Sequence, residues 1–128
     1  MRALLDTNVL LRALIEPGLL SEKARALIEA PDNVVLFSAA SIWEIAIKSA
    51  LGKADFQVTP RDILEAALAS GFEELPISSV AALGVADLPP IHRDPFDRLL
   101  IAQALQEPAR LVTTDAALAA YSELVTCV

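Results

Sequence analysis

The chain has 128 residues, of which 55% are hydrophobic, and its 17 acidic and 10 basic residues give a formal net charge of −7. This length and hydrophobicity suffice to fill one core, which predicts a single domain spanning residues 1–128. The negative charge excludes nucleic-acid binding by broad phosphate neutralisation, so any contact with nucleic acid must be local.

Features of export and membrane insertion are not expected. The amino terminus reaches Asp6 after a short apolar run, which is too short for a signal peptide. No apolar stretch approaches the roughly 18 residues of a membrane span. The single cysteine, Cys127, cannot form an internal disulfide. We therefore expect a cytoplasmic protein that does not cross a membrane.

Short strands alternate with helices in the pattern of apolar residues. In chain order the predicted elements are strand 3–5, a helix from 7 that ends at 17–18, helix 21–29, strand 34–37, helix 38–51, helix 59–69, strand 72–77, helix 79–86, helix 94–105, strand 110–112, a capped helix from 114 or 115, and strand 124–128. This alternation predicts an α/β fold in which helices cover both faces of a parallel sheet.

Parallel sheets place ligands beyond the carboxyl ends of their strands, and Asp6 and Asp115 both follow predicted strands. Each could instead be a simple helix N-cap. For Asp6 the functional interpretation is favoured, because Thr7 could cap the helix equally well.

Two further acids lie on predicted helices. Glu44 could pair with Lys48 one turn later, but its apolar neighbours predict a helix that is buried around most of its circumference. A buried glutamate needs a partner. Asp97 could complete a capping box that Asp94 begins, and we expect Asp94 to be the structural member of this pair.

If the four acids converge, their repulsion requires raised pKa values or a bound cation. Oxygen ligands without a Cys or His cluster indicate Mg²⁺ or Mn²⁺ rather than zinc. His92, the single histidine, is expected to be a loop residue rather than a ligand.

The chain resembles the PIN-domain ribonucleases, and within them the VapC-type toxins of toxin–antitoxin modules, over nearly its whole length. The resemblance rests on four blocks, which read LDTN at 5–8, SIWEIAIKSALGK at 41–53, HRDPFDRLLIAQA at 92–104 and LVTTD at 111–115. It implies a PIN-like three-layer α/β/α fold with a central parallel sheet of four to five short strands.

Matched position by position, the resemblance implies an acidic cluster that holds Mg²⁺ or Mn²⁺ and is catalytic, consisting of Asp6, Glu44, Asp97 and Asp115. It gives supporting polar roles to Thr7, Asn8 and Thr114. The cations nearest to these blocks, which could hold phosphates or simply form a solvated face, are Lys48, Lys53, Arg93 and Arg98.

The implied activity is hydrolysis of an RNA phosphodiester, which requires positioning and charge neutralisation rather than a Ser, Cys or His nucleophile. The resemblance also implies a homodimer and a cognate antitoxin whose basic segment occludes the active site.

Two other functions stay open. The acidic pocket could bind an Arg or Lys of a protein partner without catalysis, which the net charge favours. An Asp-Thr dipeptide after a first strand also opens haloacid-dehalogenase folds, in which Asp6 would be the nucleophile of an aspartyl-phosphate phosphatase. That motif needs a second aspartate where this chain has Asn8, so the phosphatase is less favoured.

Overall fold

The structure, a computed structural model, describes residues 1–52 and 59–128. In chain order the elements are β1 (Arg2–Leu5), α1 (Thr7–Ile15), a 3-10 helix (Pro17–Leu19), α2 (Glu22–Glu29), β2 (Val34–Ser38), α3 (Ala39–Ala50), α4 (Pro60–Ala69), β3 (Glu73–Leu75), α5 (Ser79–Gly84), a 3-10 helix (Val85–Asp87), α6 (Pro95–Gln106), β4 (Arg110–Thr113), a 3-10 helix (Ala116–Ala120) and β5 (Val125–Cys127). No helix within these ranges is long and apolar enough to cross a membrane.

The five strands form one parallel sheet in the order β3-β2-β1-β4-β5. In the centre, Leu5 of β1 lies opposite Phe37 of β2 on one side and Val112 of β4 on the other. The chain moves outward from β1 to β3 and then returns to the other side of β1 to add β4. The switch point therefore lies between β1 and β4, where the carboxyl ends of open parallel sheets form a crevice.

Helices cover both faces of the sheet, which confirms the predicted three-layer α/β/α fold. Ala3 and Leu5 of β1 belong to a core with residues of α1, α2, α3 and α4. Leu4, which points to the opposite face, belongs to a second core that includes Leu100 and Ile101 of α6. The alternation along β1 thus divides the apolar residues between two layers.

Local sequence signals set several element boundaries. The hydroxyl of Thr59 accepts a hydrogen bond from the Asp62 amide (3.2 Å), as predicted for an N-cap before a proline. Gly52, with φ +67°, follows α3. The strand predicted at 72–77 is shorter than expected, because Pro76 lacks the amide that would extend the ladder beyond Leu75.

Candidate active site

Asp6 lies at the carboxyl end of β1 and is held there by backbone and side-chain hydrogen bonds. Its amide donates to the Val112 carbonyl of β4 (2.9 Å), and its Oδ1 accepts from the Val9 amide (2.8 Å). Asp6 is therefore the N-cap of α1. Its side chain is also buried, since only 5% of the residue is exposed, and this places a carboxylate at the switch point of the sheet.

Burial raises the pKa of Asp6 above its ordinary value. Hydrogen bonding to the Thr113 hydroxyl and to the Val9 amide lowers the pKa, whereas the negative charge of Glu44 raises it further. Arg12 lowers it slightly, and the net effect is a raised pKa. The ionised form of Asp6 is therefore destabilised mainly by burial, and to a smaller extent by the neighbouring Glu44 carboxylate.

Glu44 is buried on α3, and both of its carboxylate oxygens have partners. Oε1 lies 2.7 Å from the Thr7 hydroxyl, which in turn lies 2.9 Å from the hydroxyl of Ser41. Oε2 accepts a hydrogen bond from Nζ of Lys48 (2.6 Å). Of the residues of α3 only Trp43 and Ala50 are exposed, in keeping with the expectation that most of the circumference of the helix is covered, and Trp43, at 57% exposed, is the apolar exception.

Asp97 stands in the first turn of α6, after Asp94, whose Oδ1 accepts from the Phe96 amide (2.8 Å) as the predicted N-cap. The pKa of Asp97 is raised to about 7. Burial is the largest cause, followed by the charges of Asp94, Asp6 and, more weakly, Glu44, while His92 opposes the shift. Burial and the neighbouring carboxylates therefore both favour the protonated form of Asp97.

Asp115 follows β4 and caps the short 3-10 helix, since its Oδ1 accepts from the Ala117 amide (3.0 Å). Its own amide donates to the hydroxyl of Thr113 (3.0 Å), a fully buried residue. Thr113 therefore contacts the acids at the ends of both central strands.

His92 lies between Asp97 and Asp115. Its Nε2 is 3.3 Å from Oδ2 of Asp115, and its Nδ1 is 3.8 Å from Oδ2 of Asp97. One potential ligand atom from each of these three residues lies within 4.8 Å of the others. His92 is a loop residue, as expected, but the loop brings it into the site rather than leaving it apart.

We call Asp6, Glu44, Asp97 and Asp115 the acid cluster. Asp97 and Asp115 lie within reach of a common cation, and Asp6 and Glu44 are close enough to raise the pKa of Asp97. Glu44 contributes charge but has both oxygens occupied by Thr7 and Lys48. The remaining donors are carboxylate oxygens with one imidazole beside them, a set that fits a divalent cation.

The supporting polar residues differ in how far they are exposed. Thr7 is buried against Glu44, whereas Thr114 and Asn8 are exposed. Asn8 lines a groove of about 430 Å³ beside the cluster, together with Leu11, Arg12, Ile15, Glu16, Leu19 and Lys48.

Arg98, expected to be a possible phosphate contact, has a structural role. Its Nη1 donates to the Pro89 carbonyl (2.9 Å) and the Tyr121 hydroxyl (3.2 Å). Its Nη2 donates to the carbonyls of Val85 (3.0 Å) and Leu88 (3.4 Å). These bonds tie Arg98 to segment 85–89 and to Tyr121, which argues against a phosphate contact.

The other three candidate cations differ in their surroundings. Lys48 is paired with Glu44, Arg93 is exposed, and Lys53 lies outside the described residues. The structure therefore contains the pair of Lys48 with Glu44, one helical turn apart, that the sequence suggested.

Comparisons with known proteins agree with this architecture. The family model for the PIN domain matches residues 3–124. Among curated proteins, no sequence matches the chain significantly. The solved structure of VapBC2 from Rickettsia felis, bound to a DNA fragment from their promoter, is similar with a TM-score of 0.68 and 20% identity, over 90% of this chain and 88% of that chain. FitAcB from Neisseria gonorrhoeae has a TM-score of 0.57 and 21% identity, over 91% and 89%. At these identities the likeness concerns the fold.

Proposed function

The chain belongs to the PIN-domain family, and from this premise we propose that it is a metal-dependent endoribonuclease, acting in the cytoplasm as the toxin of a toxin–antitoxin pair. PIN-domain proteins are nucleases. The single observation that carries the proposal for this chain is geometric: potential ligand atoms of His92, Asp97 and Asp115 lie within 4.8 Å of one another, beside the carboxylates of Asp6 and Glu44.

Such an arrangement is unfavourable for the protein alone. Carboxylates held together in a partly desolvated site repel each other, and apolar residues of similar size would avoid this cost. A divalent cation removes the repulsion, so a cation site explains why these side chains are gathered there. The proposal is that Asp97 and Asp115 hold the ion, with Asp6 beside them.

The residues of the chain would contribute in distinct ways. When bound, Mg²⁺ or Mn²⁺ would supply Lewis acidity toward a phosphoryl oxygen and lower the pKa of a water molecule. Asp97 would lose its proton as the ion enters. Thr7 and Lys48 would hold the Glu44 carboxylate in place, and Thr113 would hold the ends of β1 and β4 in register.

RNA cleavage by the purified protein tests this function. We expect cleavage with Mn²⁺ or Mg²⁺, none with a chelator, and none after Asp6→Asn. The matched control is Asp32→Asn, an exposed carboxylate at the opposite end of the sheet, which should cleave like the wild type. Cleavage by the folded Asp6→Asn variant would contradict the proposal.

A protein partner belongs to the same proposal. VapBC2 and FitAcB are toxin–antitoxin complexes. We propose that a cognate antitoxin inserts a basic side chain into the acid cluster, and that the protein forms a homodimer. The Lys48–Glu44 pair supports the first point, because it is an ammonium group already accepted by one of these acids.

The same pair favours a second candidate, a non-catalytic module that binds a basic protein segment. The two functions differ in their need for a metal. A cluster that binds a basic peptide but has no affinity for Mn²⁺ would be the non-catalytic module.

A further inference from the structure

Trp43, the single tryptophan of the chain, forms an exposed aromatic pair with Phe96 beside the acid cluster. Their ring centroids are 5.2 Å apart, and the ring planes meet at 72°, an edge-to-face contact. Phe96 is partly buried, whereas 57% of Trp43 is exposed. The contact with Phe96 fixes the indole while leaving much of its surface open.

The position of this pair follows from the sequence of the two helices. Trp43 immediately precedes Glu44 on α3, and Phe96 immediately precedes Asp97 on α6. Adjacent residues on a helix are about 1.5 Å apart along the axis and project about 100° apart. The two aromatic rings therefore meet between the two helix segments that carry Glu44 and Asp97.

Two of the cations near the cluster are engaged within the protein: Lys48 is paired with Glu44, and the Nη1 and Nη2 groups of Arg98 bond to carbonyls of segment 85–89 and to Tyr121. Arg93 is exposed, and Lys53 lies outside the described residues. The chain is also strongly acidic. An interaction that does not depend on phosphate charge would therefore strengthen RNA binding next to the cluster. Stacking of a base on an aromatic ring is such an interaction.

We propose that Trp43 is a stacking platform for an unpaired nucleobase of single-stranded RNA, adjacent to the phosphodiester that meets the acid cluster. This inference rests on the proposed nuclease function and adds a ligand contact to it. Because every base has a flat π face, the platform selects single strands over duplexes but not one base over another. Phe96 positions the indole and does not itself contact the base.

The single tryptophan makes the contact directly observable, because all indole fluorescence comes from Trp43. The probe is a short single-stranded RNA, added without metal to the uncleaving variant Asp97→Asn. We expect saturable quenching of the fluorescence. A polyphosphate chain, which has the charge but no bases, and a fully paired RNA duplex should leave the fluorescence nearly unchanged.

Fluorescence anisotropy of the same RNA, carrying a label, measures how much Trp43 contributes to the binding affinity. Trp43→Ala in the Asp97→Asn background should weaken binding about 5- to 150-fold, the range typical of one stacked base, and Trp43→Phe should restore part of it. The matched control is Leu83→Ala, which truncates an apolar residue that is 73% exposed on α5 and should leave binding unchanged.

The outcomes separate this inference from the proposed function. Quenching by RNA in a protein that never cleaves RNA would overturn the nuclease and support the platform. Cleavage by the wild type, with no quenching and with unchanged RNA affinity after Trp43→Ala, would overturn the platform alone. Equal quenching by polyphosphate would also overturn it, as would quenching by a basic peptide but not by RNA, which would make the pair a protein-docking site.

Discussion

Nε2 of His92 lies 3.3 Å from Oδ2 of Asp115. The other ring nitrogen, Nδ1, accepts a hydrogen bond from the Asp94 amide (3.2 Å), so Nε2 is the ring nitrogen left to interact with Asp115. The backbone amide of His92 is itself held by the Tyr121 hydroxyl (2.7 Å). His92 thereby orients a carboxylate of the acid cluster from outside the cluster.

Replacing His92 should weaken metal binding. We expect His92→Ala to reduce the affinity for Mn²⁺ about 10- to 100-fold, the usual cost of losing a residue that orients a ligand. His92→Gln, which keeps an N–H donor, should recover part of the affinity. Titration calorimetry measures both, and an affinity unchanged by His92→Ala would show that Asp115 needs no such orientation.

The metal-free protein should lose stability as the pH rises. The pKa of Asp97 is about 7 in the folded state and near 4 in the unfolded chain, so the folded state binds more protons between these values. The free energy of unfolding should therefore fall from about pH 4 to about pH 7 and level off above, by on the order of 2 kcal/mol. Asp6, whose pKa is also raised, adds to this in the same direction.

Asp97→Asn should remove much of that pH dependence. Because the amide cannot ionise, we expect this variant to be more stable than the wild type above about pH 7 when a chelator is present. Denaturant unfolding on either side of that pH measures the difference. A wild type whose stability rises between about pH 4 and about pH 7 would contradict the electrostatic account of Asp97.

The affinity for metal should rise with pH as Asp97 loses its proton. Since Asp97 must lose its proton to accept the ion, the affinity for Mn²⁺ should rise by up to about tenfold per pH unit below about pH 7 and then level off. The heat of binding measured in buffers of different ionisation enthalpy should reveal proton release on the acidic side. Binding that is independent of pH would exclude Asp97 as a ligand.

Arg98 should matter for stability more than for RNA binding. Arg98→Ala removes hydrogen bonds to the carbonyls of Pro89 and Val85 and to Tyr121, and we expect it to lower the free energy of unfolding by about 1–3 kcal/mol. The exposed Arg93, replaced by alanine, is the control and should change stability by less than about 0.5 kcal/mol. A stable Arg98→Ala variant with much weaker RNA binding would restore the phosphate contact.

The fold was predictable from the sequence because its signals are local. Apolar periodicity predicts the strands and helices, and Thr59 and Asp94 mark helix starts through their own side chains. The carboxyl ends of β1 and β4 were also identified correctly as the places where acids follow strands. The structure adds that β1 and β4 are neighbours, which brings those ends together.

The parts of the site that were missed depend on contacts between residues far apart in the chain. Nothing near His92 in the sequence indicates that Asp115 lies 3.3 Å away, nor that Arg98 reaches Tyr121. In the sequence Thr113 looks like an ordinary strand residue, and only the pairing of β4 with β1 shows that its hydroxyl reaches Asp6. The exposure of Trp43 could not be predicted either, because the apolar residues around it suggested burial.

The central claim is that the acid cluster exists to bind a divalent cation, and calorimetric titration with Mn²⁺ near pH 8 tests it most directly. We expect saturable binding by the wild type and by the control Asp32→Asn, and its loss in both Asp97→Asn and Asp115→Asn. No measurable binding by the folded wild type, or equal affinity in all four proteins, would contradict the claim.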